Sequence, residues 1–315
     1  GCGSRRHCIL ASGSDESEIN SRACGRIEPI VGEAIMTAKQ MQCTIRSISP
    51  VGNYLHLILD APEIEEVAPG HFAAVAVGGI GGGMLLRRAF SIHKSTPGQT
   101  LEIIFAAHGQ GTQWLATQNA GDVIDVIAPL GKPFVLPRQP ISCVIVAGGY
   151  GAAPMELLAR ELRGRGCRVD VVLGAATQEK LFGVLDLKGV ADSVIVTTDD
   201  GTSGVRGRVT DVLADVITKN KSQAVYACGP MPMLQAVAKV SQDNGAFSQC
   251  AVEESMACGI GVCMTCVLPV IGDDGVTRMS RSCVDGPVFR GDRVRWDDVH
   301  TVPSDAFGAP RPGGH

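Results

Sequence analysis

Four cysteines near the C-terminal end carry the most specific chemistry in the sequence. Cys258, Cys263 and Cys266 share one short loop, with four and then two residues between them, and Cys283 follows after sixteen more. Three close thiols and a fourth from a separate segment match the plant-type ligand pattern of a [2Fe–2S] cluster. Gly259 and Gly261 let the loop wind closely around the sulfurs, because glycine reaches positive φ without steric penalty. Zinc and disulfides compete for such thiols. Zinc sites usually take cysteines as paired knuckles with similar gaps, and disulfides need an oxidising compartment. The lopsided spacing favours the cluster over both. A one-electron carrier needs donors and acceptors, so the rest of the chain should supply them.

The elements that must position these groups follow from pattern. At 315 residues the chain has room for two or three domains, and a hydrophobic content of 45% is ample for their cores. Residues 1–40 are rich in Ser, Gly, Asp, Glu and Arg without hydrophobic period and read as a disordered extension. Met36 and Met41 both stand as possible native starts, and Cys2, Cys8 and Cys24 as incidental thiols. No h-region with a small-residue cleavage site appears there. Residues 41–138 read as all-β. Six short strands are expected at Gln42–Ile48, Tyr54–Asp60, His71–Val77, Arg87–Ile92, Leu101–Ala107 and Asp122–Ala128, which suggests a small antiparallel barrel. Residues 139–249 alternate strand and helix, so a parallel, Rossmann-like sheet with helices on both faces is expected. Its strands are Ser142–Ala147, Arg168–Leu173, Ser193–Thr197 and Ala224–Ala227. Its helices are Pro154–Leu162, Val209–Ile217 and Met231–Asp243. The cysteine lobe occupies 250–300, and 301–315 forms a flexible tail. A net charge of −4 offers no electrostatic reason for a nucleic-acid or anionic-membrane partner. No apolar run reaches the length of a membrane span. Scattered cysteines outside the loop point to reduced thiols in a cytoplasm.

The expected barrel holds two candidate cofactor motifs. Arg88-Ala89-Phe90-Ser91 ends a strand with a forked donor for a phosphate, a flat apolar face for a ring and a hydroxyl for a ring nitrogen. An ordinary strand with one surface Arg is an equal reading of those four residues. Gly109-Gln110-Gly111-Thr112 precedes a helix beginning at Gln113, where a pyrophosphate could bind; a simple turn with Thr112 as N-cap is the alternative. In the α/β region, Gly148, Gly149 and Gly151 lie between a strand and a helix, where backbone N–H groups can approach a pyrophosphate. Their spacing departs from the full dinucleotide fingerprint. Cys228-Gly229-Pro230 follows a strand carboxyl end, although a buried thiol is the commonest fate of a lone cysteine. After the second strand no Arg occurs until Arg206, which favours NAD over NADP. Asp199-Asp200-Gly201 reads equally as a ribose contact or a solvated turn.

Together these motifs resemble a known family. Arg88–Ser91, Gly109–Thr112, Gly121-Asp122 and Pro129-Leu130-Gly131 look like the flavin domain of the ferredoxin–NADP reductase superfamily. Ala147–Gly151 with Pro154, and Cys228–Pro230 with Met233-Leu234, resemble that superfamily's nicotinamide-dinucleotide domain. Glu253–Gly261 and Cys283–Phe289 narrow the match, and Gln42 to Trp296 resembles the electron-transfer subunits of NAD-linked, two-subunit dihydroorotate dehydrogenase. The resemblance implies FAD in the barrel and NAD(H) in the α/β domain, with Cys228 beside the nicotinamide. It also implies a [2Fe–2S] cluster on Cys258, Cys263, Cys266 and Cys283, facing a separate FMN-containing catalytic subunit, in an α2β2 heterotetramer that serves pyrimidine synthesis. Phe90 replaces the family's usual Tyr or aliphatic residue. His71 replaces the Gln common in the Pro-Gly-Gln-Phe turn, and a structural role is expected for it. No proton-transfer residue for dihydroorotate is expected, and no eight-fold βα repeat is present to oxidise it. The alternative is a subunit of a flavin-based NAD(P)H–ferredoxin or sulfide-linked oxidoreductase. A structural zinc or redox-sensing module is the reading from another class.

Overall fold

The computed structural model of the chain describes residues 38–79 and 83–310. Cys2, Cys8, Cys24 and Met36 lie outside the described residues, as do parts of the Gly78–Gly83 turn and of the expected tail. The first six strands are β1 (Lys39–Val51), β2 (Tyr54–Asp60), β3 (Phe72–Val75), β4 (Arg88–Thr96), β5 (Thr100–Phe105) and β6 (Val123–Leu130). They close into an antiparallel barrel in the order β1-β2-β5-β4-β3-β6. Alternation explains the closure. Cys43 and Ile45, Leu57 and Leu59, Leu101 and Ile103, and Ile124 and Val126 all point into one buried interior. β1 is longer than its hydrophobic pattern implied, because it serves two partners. Its first half pairs with β6 (Lys39↔Ala128 to Thr44↔Val123) and its second with β2, with a register shift between Ile45 and Ser47.

The short helix α1 (Gln110–Ala116) caps the barrel between β5 and β6. It starts earlier than expected, with Gly109 rather than Thr112 at the N-cap position. Thr112 sits inside the first turn, where its Oγ1 accepts hydrogen bonds from the backbone N–H of Gly109 and His108 at 3.1 and 3.0 Å.

The second half is a seven-stranded sheet in the order β10-β9-β8-β7-β11-β12-β15. Its elements are β7 (Ser142–Gly148), α2 (Met155–Gly164), β8 (Arg168–Ala175), α3 (Val184–Lys188), β9 (Ser193–Thr198), β10 (Val205–Arg206), α4 (Thr210–Asn220), β11 (Ala224–Cys228), α5 (Met231–Asp243) and β12 (Phe247–Ala251). The continuous apolar run of β7 is explained by burial on both faces. Cys143, Ile145 and Ala147 meet the α2 side with Leu158 and Leu162. Val144 and Val146 meet the α4 and α5 side with Leu213 and Val237. The sheet is parallel except at one edge. There β15 (Val288–Arg290), from the cysteine lobe, pairs antiparallel with β12 through Cys250↔Phe289. The lobe therefore shares the sheet, and the expected limit at 249/250 falls inside β12. Its other strands, β13 (Val267–Ile271) and β14 (Thr277–Arg281), form a hairpin that sequence pattern had left unassigned.

The lobe also rests on the barrel. A Cβ on Gly131 (φ +82°) would meet Pro287 Cδ at 2.6 Å and Gly286 O at 2.9 Å. Lys132 N–H donates to Gly286 O at 2.5 Å. Close backbone approach of this kind admits only glycine. Gly131→Ala should therefore destabilise the protein by about 1–3 kcal/mol through strain and overpacking, seen as a fall of several degrees in the thermal midpoint.

His71 plays the structural part expected of it. Its ring is 5% exposed, and Nδ1 accepts the Ala68 N–H at 3.1 Å. Burial lowers its pKa from 6.5 to about 4. The folded state thus resists a proton that the unfolded chain accepts. Its contribution is fully present above pH 6.5 and is lost as pH falls towards 4. His71→Gln keeps an acceptor for Ala68 but removes the titration. The stability lost between pH 7 and pH 4.5 should shrink by about 2–3 kcal/mol, measured by urea unfolding at both pH values.

Candidate functional site

The four thiols converge. The β13–β14 hairpin folds the chain back so that Val267 pairs with Arg281, bringing Cys266 and Cys283, just beyond its open end, together. Ser282 locks that closure: its N–H and Oγ both donate to Cys266 O, at 2.9 and 2.8 Å. Backbone and hydroxyl donors already aim at the sulfurs. The N–H groups of Val262 and Cys263 point at Cys258 Sγ at 3.3 and 3.4 Å, and Thr265 Oγ1 donates to Cys263 Sγ at 3.0 Å. The Thr265 bonds lead in pulling the Cys263 thiol towards its thiolate, whereas burial foremost, with the neighbouring Cys266, pushes Cys283 upward. All nine cysteines among the described residues are free. Sulfurs from one wound loop and one hairpin, with donors already in place, form a cradle that suits an iron–sulfur centre.

The cradle lies against the barrel beside the candidate flavin motif. Cys266 and Cys283 share a buried apolar cluster with Phe72, Ala74 and Leu130 of β3 and β6. A Cβ on Gly259 would touch the Ala74 side chain at 3.4 Å. Ala74 pairs with Ala89, and Phe72 with Ser91. The cysteine loop thus packs on β3, the immediate neighbour of the strand that carries Arg88–Ser91. Arg88 and the Gly109–Thr112 turn also come together, since a Cβ on Gly111 would meet Arg88 Nε at 2.7 Å. Arg88 Nη1 donates to Leu86 O at 2.8 Å. Phe90 is half-buried with its ring 5.8 Å from that of Phe105, while Ala89 and Ser91 are exposed.

The glycine motifs of the sheet meet as well. A Cβ on Gly151 would sit 2.7 Å from Cys228 O, and one on Gly229 would sit 3.1 Å from Gly148 N. The two turns are packed backbone to backbone because β7 and β11 are neighbours, with Cys228 opposite Ala147. Gly149 takes φ +55° as it leaves β7. Cys228 itself is 2% exposed, and burial pushes its thiol up.

A cavity of about 670 Å³ opens over these turns, lined by Gly148, Gly149, Gly174, Asp199, Pro230 and Glu253, among others. They stand at or just past the carboxyl ends of β7, β8, β9, β11 and β12, where ligands of open α/β sheets bind. Sequence pattern overlooked several further lining groups, including Tyr54, His108, Tyr150, Lys180 and Arg208. Tyr150 and Glu253 face each other there. Burial raises both, and a hydrogen bond from Tyr150 tempers the shift of Glu253. Glu253 was detectable in principle, since it stands just past the end of a parallel strand. The cations were not, because Lys180 and Arg208 arrive from loops whose path the pattern does not fix. Asp199 faces the cavity, whereas Asp200 caps its own turn through Thr202 at 3.0 Å.

Two family models match the chain. Residues 253–295 match the iron–sulfur cluster binding domain of dihydroorotate dehydrogenase B, and residues 145–239 match the oxidoreductase NAD-binding domain. The dihydroorotate dehydrogenase B (NAD(+)) electron transfer subunit of Desulforamulus reducens is 34% identical over 78% of this chain and 94% of its own length. Its counterpart in Bacillus caldolyticus is 38% identical over 72% of this chain and 86% of its own. Among solved structures, an NADH-dependent reduced ferredoxin–NADP oxidoreductase aligns with a TM-score of 0.72 at 27% identity, covering 82% of this chain and 91% of that one. A ferredoxin NADP+ reductase from Neisseria gonorrhoeae, with bound FAD and NADP, shares the fold at a TM-score of 0.56 and 20% identity over 66% of this chain and 92% of that one.

Thr265 gives the cradle a direct test. With iron and sulfide assembled, Thr265→Val deletes one donor to Cys263 Sγ. The reduction potential should fall by roughly 20–60 mV, equivalent to about 0.5–1.5 kcal/mol for one electron, as followed by an EPR-monitored redox titration.

Proposed function

The chain belongs to the family of dihydroorotate dehydrogenase B electron transfer subunits, and on that premise we propose how its own residues serve the transfer. The subunit relays electrons between an FMN-containing catalytic partner and NAD+, in the pathway that makes pyrimidines. FAD, a [2Fe–2S] cluster and NAD are its cofactors. A nicotinamide exchanges electrons in pairs, a [2Fe–2S] cluster exchanges them singly, and a flavin between the two can do both.

The observation that carries this reading is the register of the cysteine loop on the barrel. Gly259 rests on Ala74, whose strand partner is Ala89. Arg88, Ala89, Phe90 and Ser91, with Gly109, Gly111 and Thr112, hold the flavin by its phosphate and ring. Gly148, Gly149, Gly151, Cys228, Gly229 and Pro230 form the approach of the dinucleotide, where the glycine N–H groups carry no side-chain obstruction. Cys258, Cys263, Cys266 and Cys283 hold the cluster, and the N–H groups of Val262 and Cys263 with the Thr265 hydroxyl stabilise negative charge on its sulfurs. None of these residues is assigned a proton transfer on dihydroorotate.

The partner meets the exposed rim of the cysteine loop. Ile260, Val262, Met264 and Val284 are 50%, 75%, 52% and 37% exposed around the thiols. An apolar patch of this kind is typical of the centre of an interface. We place the subunit in the cytoplasm, as half of a heterotetramer with two copies of each chain. No helix among the described residues is long and apolar enough to cross a membrane. A second reading, a subunit of a flavin-based ferredoxin-linked oxidoreductase, draws support from the structural alignment at TM-score 0.72.

Co-expression separates the two. The chain with a dihydroorotate dehydrogenase catalytic subunit should co-purify and reduce NAD+ when fed dihydroorotate, and the chain alone should not. Dihydroorotate oxidation by the isolated chain would overturn this division of labour. Capture of a ferredoxin-linked flavoprotein instead would favour the second reading. Val262→Asp should weaken the complex at least tenfold, about 1.4 kcal/mol, while leaving the flavin and cluster absorption unchanged. Calorimetric titration of the two subunits measures that loss.

A further inference from the structure

Three side chains on the outside of the barrel play no part in the sites described above. His56 on β2, His93 on β4 and Glu102 on β5 bring their ligand atoms within 4.8 Å of one another. The barrel order places β5 between β2 and β4, so the carboxylate is flanked by a histidine on either side. Strand alternation turns Leu57, Ile103 and Ile92 inward, and it turns His56 and Glu102 outward. His93, the neighbour of inward-facing Ile92, is turned outward by the same alternation. The β4–β5 register slips around it, between Ile92 and Lys94, and bulges gather beside functional sites.

The donor set is already arranged for a cation. His93 is 5% exposed, and its Nδ1 lies 2.6 Å from Ala153 O. A carbonyl can only accept, so Nδ1 carries the proton and Nε2 offers its lone pair. A backbone carbonyl on the remote ring nitrogen is the usual support of a metal-bound histidine. Burial, as the leading cause, lowers the pKa of His93 and keeps that lone pair free. His56 Nε2 stands 2.9 Å from Glu102 Oε2, and the two side chains are 24% and 20% exposed. Zinc bonds of about 2.0–2.1 Å set tetrahedral ligands about 3.3 Å apart. The His56–Glu102 separation of 2.9 Å is close to that value, all three ligand atoms lie within 4.8 Å of one another, and two partly exposed side chains can rotate to meet it. The neighbouring cation is already matched, because Lys94 Nζ pairs with Glu156 Oε2 at 2.8 Å.

We propose that His56, His93 and Glu102 form a zinc site with its fourth position open to water. Zinc displaces the proton that lies between His56 Nε2 and Glu102. In a neutral His56 that proton moves to Nδ1 through solvent, whereas a doubly protonated one releases it to solvent and keeps the proton on Nδ1. The ion would act across the boundary between barrel and sheet. His93 holds the carbonyl of Ala153, the residue that follows the Gly149–Ala152 turn. Zinc on His93 therefore ties the barrel to the segment carrying the dinucleotide glycines.

The test uses the full chain with its flavin and cluster in place, titrated anaerobically with zinc chloride at neutral pH. Bound metal is counted by mass spectrometry and its ligands are read by zinc X-ray absorption. One zinc per chain with a nitrogen and oxygen shell near 2.0 Å, together with a raised thermal midpoint, is the expected result. His56→Gln and Glu102→Gln, both at partly exposed positions, should each weaken binding at least tenfold. A shell dominated by sulfur, which would betray the thiol loop, overturns the proposal. So does equal binding by the variants, or the absence of retained zinc. A parallel titration with ferrous ion covers the other metal that favours two histidines and a carboxylate. Retention of iron but not zinc would overturn the zinc assignment.

Discussion

The structure depends on one close contact, the seating of the cysteine lobe on strands β3 and β6 of the barrel. Gly131 and Gly286 touch backbone to backbone there, and Gly259 lies on Ala74. A side chain at Gly131 would collide with Pro287 and Gly286 of the lobe and push it away. Single electrons move efficiently only between closely spaced centres, so the packing fixes the chemistry as much as the ligands do. The contact is held from two sides. The lobe contributes β15 to the nucleotide sheet, and Lys132 N–H bonds to Gly286 O from the barrel side. The lobe is therefore clamped between the two larger units.

The nucleotide sheet solves a different problem by repetition. Five of its parallel strands end at one rim, and the residues just past those ends line the cavity. Parallel strands buried on both faces leave their carboxyl ends as the natural place for polar contact with a ligand. The glycines at the β7 and β11 ends also let two turns pack together with no side chain between them. Gln249 joins this unit to the segment that leaves the barrel after β6: its Oε1 accepts the Val135 N–H at 2.8 Å and its Nε2 donates to Val135 O at 2.7 Å. Tyr226, stacked edge-on against Phe134 at 5.7 Å, seals the same joint.

Much of this was legible in the residues. The barrel strands alternate because one face is buried, and β7 is uniformly apolar because both are. Those two periods separate the domains without further help. The cysteine spacing located the thiols, since a ligand set is local in sequence. Long-range geometry was less visible. The β13–β14 hairpin was missed although Asp274-Gly275, flanked by apolar residues, marks its turn. The short β12 and β15 were missed because three to five residues carry little periodicity. The absence of an early arginine said little about the cavity's charge, because Arg208 enters it from beyond β10. The start of α1 lies three residues before the expected Gln113 because Gly109, which lacks a capping side chain to mark it, holds the N-cap position.

The burial of the four thiols gives the relay a direction. Cys266 and Cys283 are buried among Phe72, Ala74 and Leu130, whereas Cys263 is exposed and Cys258 intermediate. A cluster held by such a set has one edge against the barrel and the other towards solvent. The inner edge adjoins the strands that lead to Ala89 and Ser91. The outer edge is ringed by Ile260, Val262, Met264 and Val284, side chains that gain by being covered. Water next to a charged centre screens and reorganises around it. A partner seated on that apolar rim would remove the water and raise the local strength of the Val262, Cys263 and Thr265 hydrogen bonds to sulfur. In the proposed complex, docking and electron transfer would be coupled through the same few residues, because most of the rim side chains offered to the partner lie on the loop whose donors point at the sulfurs.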